Sequence, residues 1–309
     1  MNDSVNLRLM TYNIGGVKKP SFNFSDAVKI ISELSPDVLC IQEITKTIRA
    51  DGNIDDQVQI ITERIDGKTS SFFGPTISLP KHFHPAKDLF VQMLFDDVEE
   101  WHQGNALLIK STFSKLSDSS QKGKPYSLPV YNPARYEGNR NTDPRAIIIS
   151  RANFSFLSPY IVGTHLTTLV SENSPDSEEF NTIKQTAQNM RFDQCMWISK
   201  ILNKHVIQKN YPTFLLGDFN APPNEPCIQK IIEEQCKFSR LIPSNKKSDS
   251  MVDHIFIFPG ENYIEYDCYI YDDTKAASAS DHFPVFADIT IFSQKSEKFL
   301  KNRSGVVKR

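Results

Sequence analysis

An α/β fold is predicted for these 309 residues, and three observations carry the prediction. Apolar runs of strand length recur along the chain, separated by segments with helical spacing. The first of them follow strand–helix–strand order within about forty residues, which reads as a crossover unit. Several runs also end in Asn, Asp, Glu or His close to Gly or Pro, so polar side chains are presented where strands stop. Hydrophobic residues at 39% and charged residues at 23% suit a soluble chain with a substantial core. No linker or internal repeat marks a second domain. Residues 1–295 are read as one domain and 296–309 as a basic tail, a frayed terminus rather than a binding arm.

Leu7 to Tyr12 alternates as a first strand and ends at Asn13, before Gly15 and Gly16. Ser25 is a plausible N-cap for a helix carrying Ala27, Ile30, Ile31 and Leu34, closed by Pro36. Asp37 to Glu43 is a second, mostly apolar strand whose last residue is a carboxylate. Residues 44–104 carry weaker signals. Gln57 to Arg64 is compatible with a helix and Ser71 to Leu79 with an extended segment. His82 and His84, between prolines, read as a surface loop rather than a metal site. Asp96 to Glu100 reads as a solvated acidic face, and Gln103 to Ile109 enters another strand through Gly104.

Ser111 to Pro144 is polar, with Tyr126, Tyr131, Arg135, Tyr136 and Arg140 interspersed, and is expected to be a long loop beside the site. Aromatic and arginine side chains so mixed can stack bases and hold phosphates, and a disordered surface loop is the equal alternative. Strands are expected from Arg145 to Ser150 and from Tyr160 to His165. A long helix follows to about His205, its stripe drawn by Met190, Trp197, Ile198 and Ile201. The next strand, Phe214 to Leu216, runs into Gly217-Asp218-Phe219-Asn220 and stops at Pro222-Pro223. Asp218 and Asn220 are two residues apart, so in extended chain both face one point. Asp253 opens a further strand, and Asp281-His282 precedes a last one from Val285 to Phe292.

Composition excludes some roles. A net charge of −2 gives no global attraction to nucleic acid or anionic membrane. The five cysteines are scattered without zinc spacing and read as reduced thiols. The N-terminus has no signal-peptide pattern and no run approaches the ~18 apolar residues of a span. A cytoplasmic protein without a transmembrane segment is expected, as a monomer.

The ordered motifs Thr11-Tyr12-Asn13, Ile41-Gln42-Glu43, Gly163-Thr164-His165, Gly217-Asp218-Phe219-Asn220, Val252-Asp253-His254-Ile255 and Ser280-Asp281-His282-Phe283-Pro284-Val285 closely resemble the endonuclease/exonuclease/phosphatase superfamily. The resemblance implies the deoxyribonuclease I-like fold: a four-layer sandwich of two mixed β-sheets flanked by helices, with one site at one rim. It implies Mg²⁺ (or Mn²⁺) on Glu43, assisted by Asn13 and Asp281. It further implies that Asp218, helped by Asn220, positions and deprotonates a water. His282, oriented by Asp253, and His165 would donate hydrogen bonds to a phosphoryl group, and Arg145 resembles a phosphate-side arginine. The substrate class is then a phosphate ester, with nucleic acid, a DNA-end adduct and an inositol or lipid head group all open. A catalytically inactive binding module is the alternative of a different class. Two departures stand out. Abasic-site endonucleases of this superfamily carry tyrosine where this chain has His165, and the glutamate that pairs with such a histidine in deoxyribonuclease-type members is not identifiable here.

Overall fold

The first strand, β1 (Ser4–Asn13), separates two apolar surfaces: Leu7 and Leu9 face one way, Met10 and Tyr12 the other. A strand buried on both sides belongs in the middle of a layered structure. The computed structural model describes residues 4–15, 23–117, 123–176, 178–245, 249–293 and 306–307. The chain runs from β1 through α1 (Phe24–Leu34), β2 (Val38–Arg49), β3 (Ile54–Asp56), α2 (Gln57–Arg64), β4 (Ser70–Leu79), α3 (Asp88–Phe95) and β5 (Val98–Ile109). Then come β6 (Thr112–Phe113), β7 (Tyr126–Tyr131), β8 (Arg145–Asn153), β9 (Tyr160–His165), α4 (Phe180–His205) and β10 (Thr213–Asp218). A π-helical segment (Cys227–Gln235), β11 (Ser239–Arg240), β12 (Asp253–Phe258), β13 (Tyr263–Ile270), α5 (Thr274–Ala279), β14 (Val285–Phe292) and β15 (Val306–Val307) complete it.

Among the described residues these strands form two mixed sheets. An eight-stranded sheet has the order β15-β13-β14-β1-β2-β5-β4 with β3 beside β2, and a seven-stranded sheet has β11-β12-β10-β9-β8-β6 with β7 beside β8. The parallel pairs are β1–β2 and β9–β10, one near the centre of each sheet. Between the sheets lie Leu9, Val38 and Cys40 from one, and Ile161, Phe214, Leu216 and Ile255 from the other. The outer face of the first sheet packs Met10, Leu39 and Ile41 on α1, α2 and α5. That of the second packs Val162, Leu215 and Phe256 on α4 and the π-helical segment. This is the expected four-layer sandwich.

Several local expectations change. The α1 cap is Asn23, whose side chain accepts from the Ser25 N–H, so Ser25 lies inside the first turn. β2 continues six residues beyond Glu43, to Arg49. The segment 111–144 is no single loop, because β7 pairs along β8 with Tyr131 opposite Arg145. Pro129 is tolerated there because an edge strand can forgo a ladder bond. His82 and His84 accept the N–H groups of Ser78 and Ala86 through Nδ1, as turn-forming side chains do. The tail lies outside the described residues except Val306–Val307, which pairs with β13.

All five cysteines are free and buried. Among the described residues no helix is long and apolar enough to cross a membrane.

Candidate active site

The inward-facing residues of the central strands turn polar at one rim. In β1 the series is Leu9, Thr11, Asn13; in β10 it is Phe214, Leu216, Asp218; in β9 it is Ile161, Gly163, His165. Period-two alternation therefore delivers Asn13, Asp218 and His165 to the gap between the sheets. Asp253 starts β12 directly opposite Asp218, so the antiparallel partner adds a carboxylate to the same rim.

Glu43 arrives differently. By parity it would follow Leu39 and Ile41 toward α1, but two residues of β2, Gln42 and Glu43, oppose one residue of β5. This bulge places Glu43 at φ +58° and returns Ile44 to the helix side. The bulge aims the Glu43 carboxylate at the site. Asn13 Nδ2 binds Asp218 Oδ2 at 2.9 Å and reaches Glu43 Oε1 at 3.5 Å, so one amide bridges carboxylates from the two sheets. Gln103 Nε2 reaches Glu43 Oε2 at 3.4 Å.

Asp218 is 1% exposed and accepts the Asn220 N–H at 2.8 Å. Burial lifts its carboxyl to about 6; the His282 charge works against this lift and the Asp253 charge adds to it. His282 Nδ1 lies 2.7 Å from Asp253 Oδ2, and its Nε2 faces Asp218 Oδ2 at 3.8 Å. Burial pulls this imidazole down, but the Asp253 and Asp218 charges outweigh it and hold the ring at about 10. The expected Asp253–His282 pair is thus formed, with the second ring nitrogen turned toward Asp218. Asp281, beside it, is exposed at the rim.

His165 Nε2 lies 3.4 Å from Asp218 Oδ2 and 4.0 Å from Glu43 Oε1. Arg145 Nη1 stands 3.0 and 3.1 Å from the two ring nitrogens of His165. Near-equal distances to both nitrogens require a position over the ring face, so an arginine stands against this histidine. Arg145 is buried, and among the described residues its Nε and Nη2 have no hydrogen-bond acceptor. Asp143 Oδ2 is 3.8 Å from Nη2.

The residues present fit a hard divalent cation. Glu43, Asp218 and Asp253 are buried carboxylates gathered at one rim, a concentration of negative charge that such an ion neutralises. Glu43 and the Asn13 amide offer the oxygen ligands it prefers. Among the described residues, Asp218, Asp253 and His282 also bring ligand atoms within 4.8 Å of one another, though the 2.7 Å His282–Asp253 hydrogen bond already uses that imidazole.

The sequence profile of the Endonuclease/Exonuclease/phosphatase family matches residues 10–282. The chain belongs to that family. No curated protein sequence matches it. Among solved structures, a family member from Beutenbergia cavernae superposes with a TM-score of 0.62 at 20% identity, covering 92% of this chain and 71% of that one. The human nocturnin catalytic domain with bound sulfate gives 0.58 at 17%, covering 94% and 97%. A humanised D. rerio TDP2 gives 0.56 at 15%, covering 92% and 98%. At these identities the likeness is one of fold.

Sequence reasoning missed several residues here. Gln103 and Asn105 continue inward from Leu107 on β5 just as Asn13 continues from Leu9, and that period-two signal was available. The buried face of α4 is Ala187, Arg191, Gln194, Cys195, Ile198, Ser199 and Leu202, offset from the expected stripe because three polar side chains turn inward. Beside Asp253 and His282 opens a cavity of about 720 Å³, reaching Arg140, Lys184 and Phe283.

Proposed function

We propose that this family member is a divalent-metal-dependent phosphoesterase that places Mg²⁺ or Mn²⁺ on Glu43 and Asn13, with Asp281 at the rim. The observation that carries the reading is the Arg145 guanidinium. Two of its buried nitrogens, Nε and Nη2, lack acceptors among the described residues, beside His165 and the Asp218 carboxylate. Buried donors of this kind are costly unless something fills them, and a phosphate oxygen does so with matching charge and geometry. The nocturnin domain, of the same fold, holds a sulfate, which has the same tetrahedral anion shape.

The cation, when bound, neutralises charge on the phosphoryl oxygens and the carboxylates around it. Asp218 takes a proton from the attacking water, its carboxylate aimed by the Asn13 amide and the Asn220 N–H. Protonated His282, held by Asp253, donates from Nε2 toward a phosphoryl oxygen as charge develops there. Arg145 and His165 grip the oxygens on the β8–β9 side. This assignment of roles favours an enzyme over an inactive binding module, since the water-activating and the proton-donating groups stand together. The adjacent cavity is nucleotide-sized, which favours esters with a bulky second group over small monoesters. Nucleic acid, a DNA-end adduct and a head-group phosphate all meet that description.

Turnover of bis-p-nitrophenyl phosphate tests the reading. Wild type with Mg²⁺ should be active, EDTA should abolish turnover, and Asp218→Asn should lower kcat about 10²- to 10⁴-fold. Undiminished activity after exhaustive chelation, restoration by Zn²⁺ alone, or a fully active Asp218→Asn enzyme would overturn it.

A further inference from the structure

One guanidinium underlies both loops that leave the parallel strands β9 and β10. Arg191, in the middle of α4, is 1% exposed. Its Nε and Nη2 bind Glu225 Oε1 and Oε2 at 2.7 and 2.9 Å, a two-pronged fork. Its Nη1 reaches Glu172 Oε1 at 2.7 Å and the Thr167 carbonyl at 3.1 Å. Glu172 in turn accepts the Leu169 N–H at 3.0 Å. One helical turn further, Gln194 closes on the same residue: its Oε1 accepts the Thr167 N–H at 3.1 Å and its Nε2 donates to Thr167 Oγ1 at 2.5 Å.

These anchors bracket the catalytic groups in sequence. Thr167 lies two residues after His165, and Glu225 lies five after Asn220. The two loops meet at Asn220, whose Nδ2 donates to the Leu166 carbonyl at 3.0 Å while the Leu166 N–H binds the Asp218 carbonyl at 2.9 Å. Asn220 also sits at φ +49°, a left-handed conformation that a non-glycine residue keeps only when its surroundings impose it. Its N–H then reaches Asp218 Oδ1. A buried ion cluster is a poor source of net stability compared with well-packed apolar groups. A fixed geometry is what this one supplies.

We infer that Arg191 and Gln194 are positioning residues, which clamp the Leu166–Thr167 and Asn220–Glu225 segments together and so fix the direction of the Asp218 carboxylate. This rests on the phosphoesterase reading. Misaiming a catalytic group weakens the chemical step more than substrate binding. The clamp should therefore act on kcat.

The test uses Arg191→Lys, which keeps the charge but loses the fork, and Gln194→Met, which keeps the shape of the side chain. Kinetics with bis-p-nitrophenyl phosphate and Mg²⁺ are taken per folded molecule, with the folded fraction read from thermal melts. Each variant should lower kcat on the order of ten-fold with KM within about two-fold. In an Asn220→Ala background Arg191→Lys should add almost nothing, because both changes release the same carboxylate. Activity that falls only in step with the folded fraction would make the cluster a mere staple and overturn the inference, as would losses that multiply fully in the double variant. Asp218→Asn separates the two levels. If that variant turns over normally, the phosphoesterase reading fails. If it is inert while Arg191→Lys and Gln194→Met keep full kcat, the clamp alone fails.

Discussion

The two rims of the sandwich both hold a charged cavity, and they differ in how the charges are settled. The larger cavity, about 950 Å³, lies at the opposite end of β1, around Arg8, Asp37, Lys110 and Asp288. There Arg8 forks onto Asp288 at 2.7 and 2.8 Å and caps the Leu34 carbonyl, while Lys110 binds the Ser35 carbonyl and hydroxyl. At the Asn13 rim one amide serves two carboxylates, a buried guanidinium keeps idle donors, and Asp218 is pushed up to about 6. Size and charge alone would favour the Arg8 end over the candidate site. Unsettled, desolvated polar groups mark the end built to receive something.

The same contrast runs through two histidines of one neighbourhood. His282 is held at about 10 by Asp253 and Asp218, although burial opposes it. His254, next to Asp253 in sequence, points to the other side of β12 against Phe219 and Phe256 and is driven down to about 4 by burial. Its Nε2–H donates to the Ala221 carbonyl at 2.9 Å, so it is a neutral core residue.

The largest effect that would break this comparison lies at Arg145. Arg145→Gln should lower kcat/KM about 10²- to 10³-fold and weaken inhibition by inorganic phosphate, with the melting temperature little changed. An active variant with unaltered phosphate inhibition would show that the idle donors are idle in function too. A second effect concerns stability. His254 has a folded pKa below its unfolded value, so its contribution is complete above about pH 6.5, shrinks as the pH falls toward about 4, and is then fully lost. The shift corresponds to about 3 kcal/mol. Urea melts across that range should show the decline, and His254→Gln should flatten it; identical slopes in both proteins would contradict the assignment. The smallest effect belongs to the far rim. Arg8 and Asp288 are 33% and 46% exposed, so Arg8→Gln should cost below about 1 kcal/mol and leave kcat untouched. A kinetic defect there would erase the distinction between the rims.

Much of the site was legible because strand periodicity is a local property. Asn13, His165, Asp218 and Asp253 stand where two-residue alternation puts them. Glu43 was recognised by its motif, but the reason it faces inward is a bulge set by pairing with β5, which no local pattern announces. The α4 face was misjudged because Arg191 and Gln194 look like solvent residues until their partners, Thr167 and Glu172 on one loop and Glu225 on another, are brought together by β9 and β10. The β7 strand was hidden by its central proline and by the polar segment around it, and its existence depends on β8. His165 has Glu43 at 4.0 Å, and beside it Arg145 at 3.0 Å, a neighbour made across β8 and β9.

One contact a single inward-facing step below the rim bears on all of this. Gly163 faces Cys40 across the inter-sheet core so closely that a Cβ on the glycine would lie 2.5 Å from the sulfur. Asn13 and Glu43 ride on one sheet, and Arg145, His165, Asp218 and Asp253 on the other. A methyl group on Gly163 would therefore press those two sets apart. The candidate site behaves as a vernier read between two plates, and the hydrogen atom on Gly163 is what lets Cys40 close on its partner sheet.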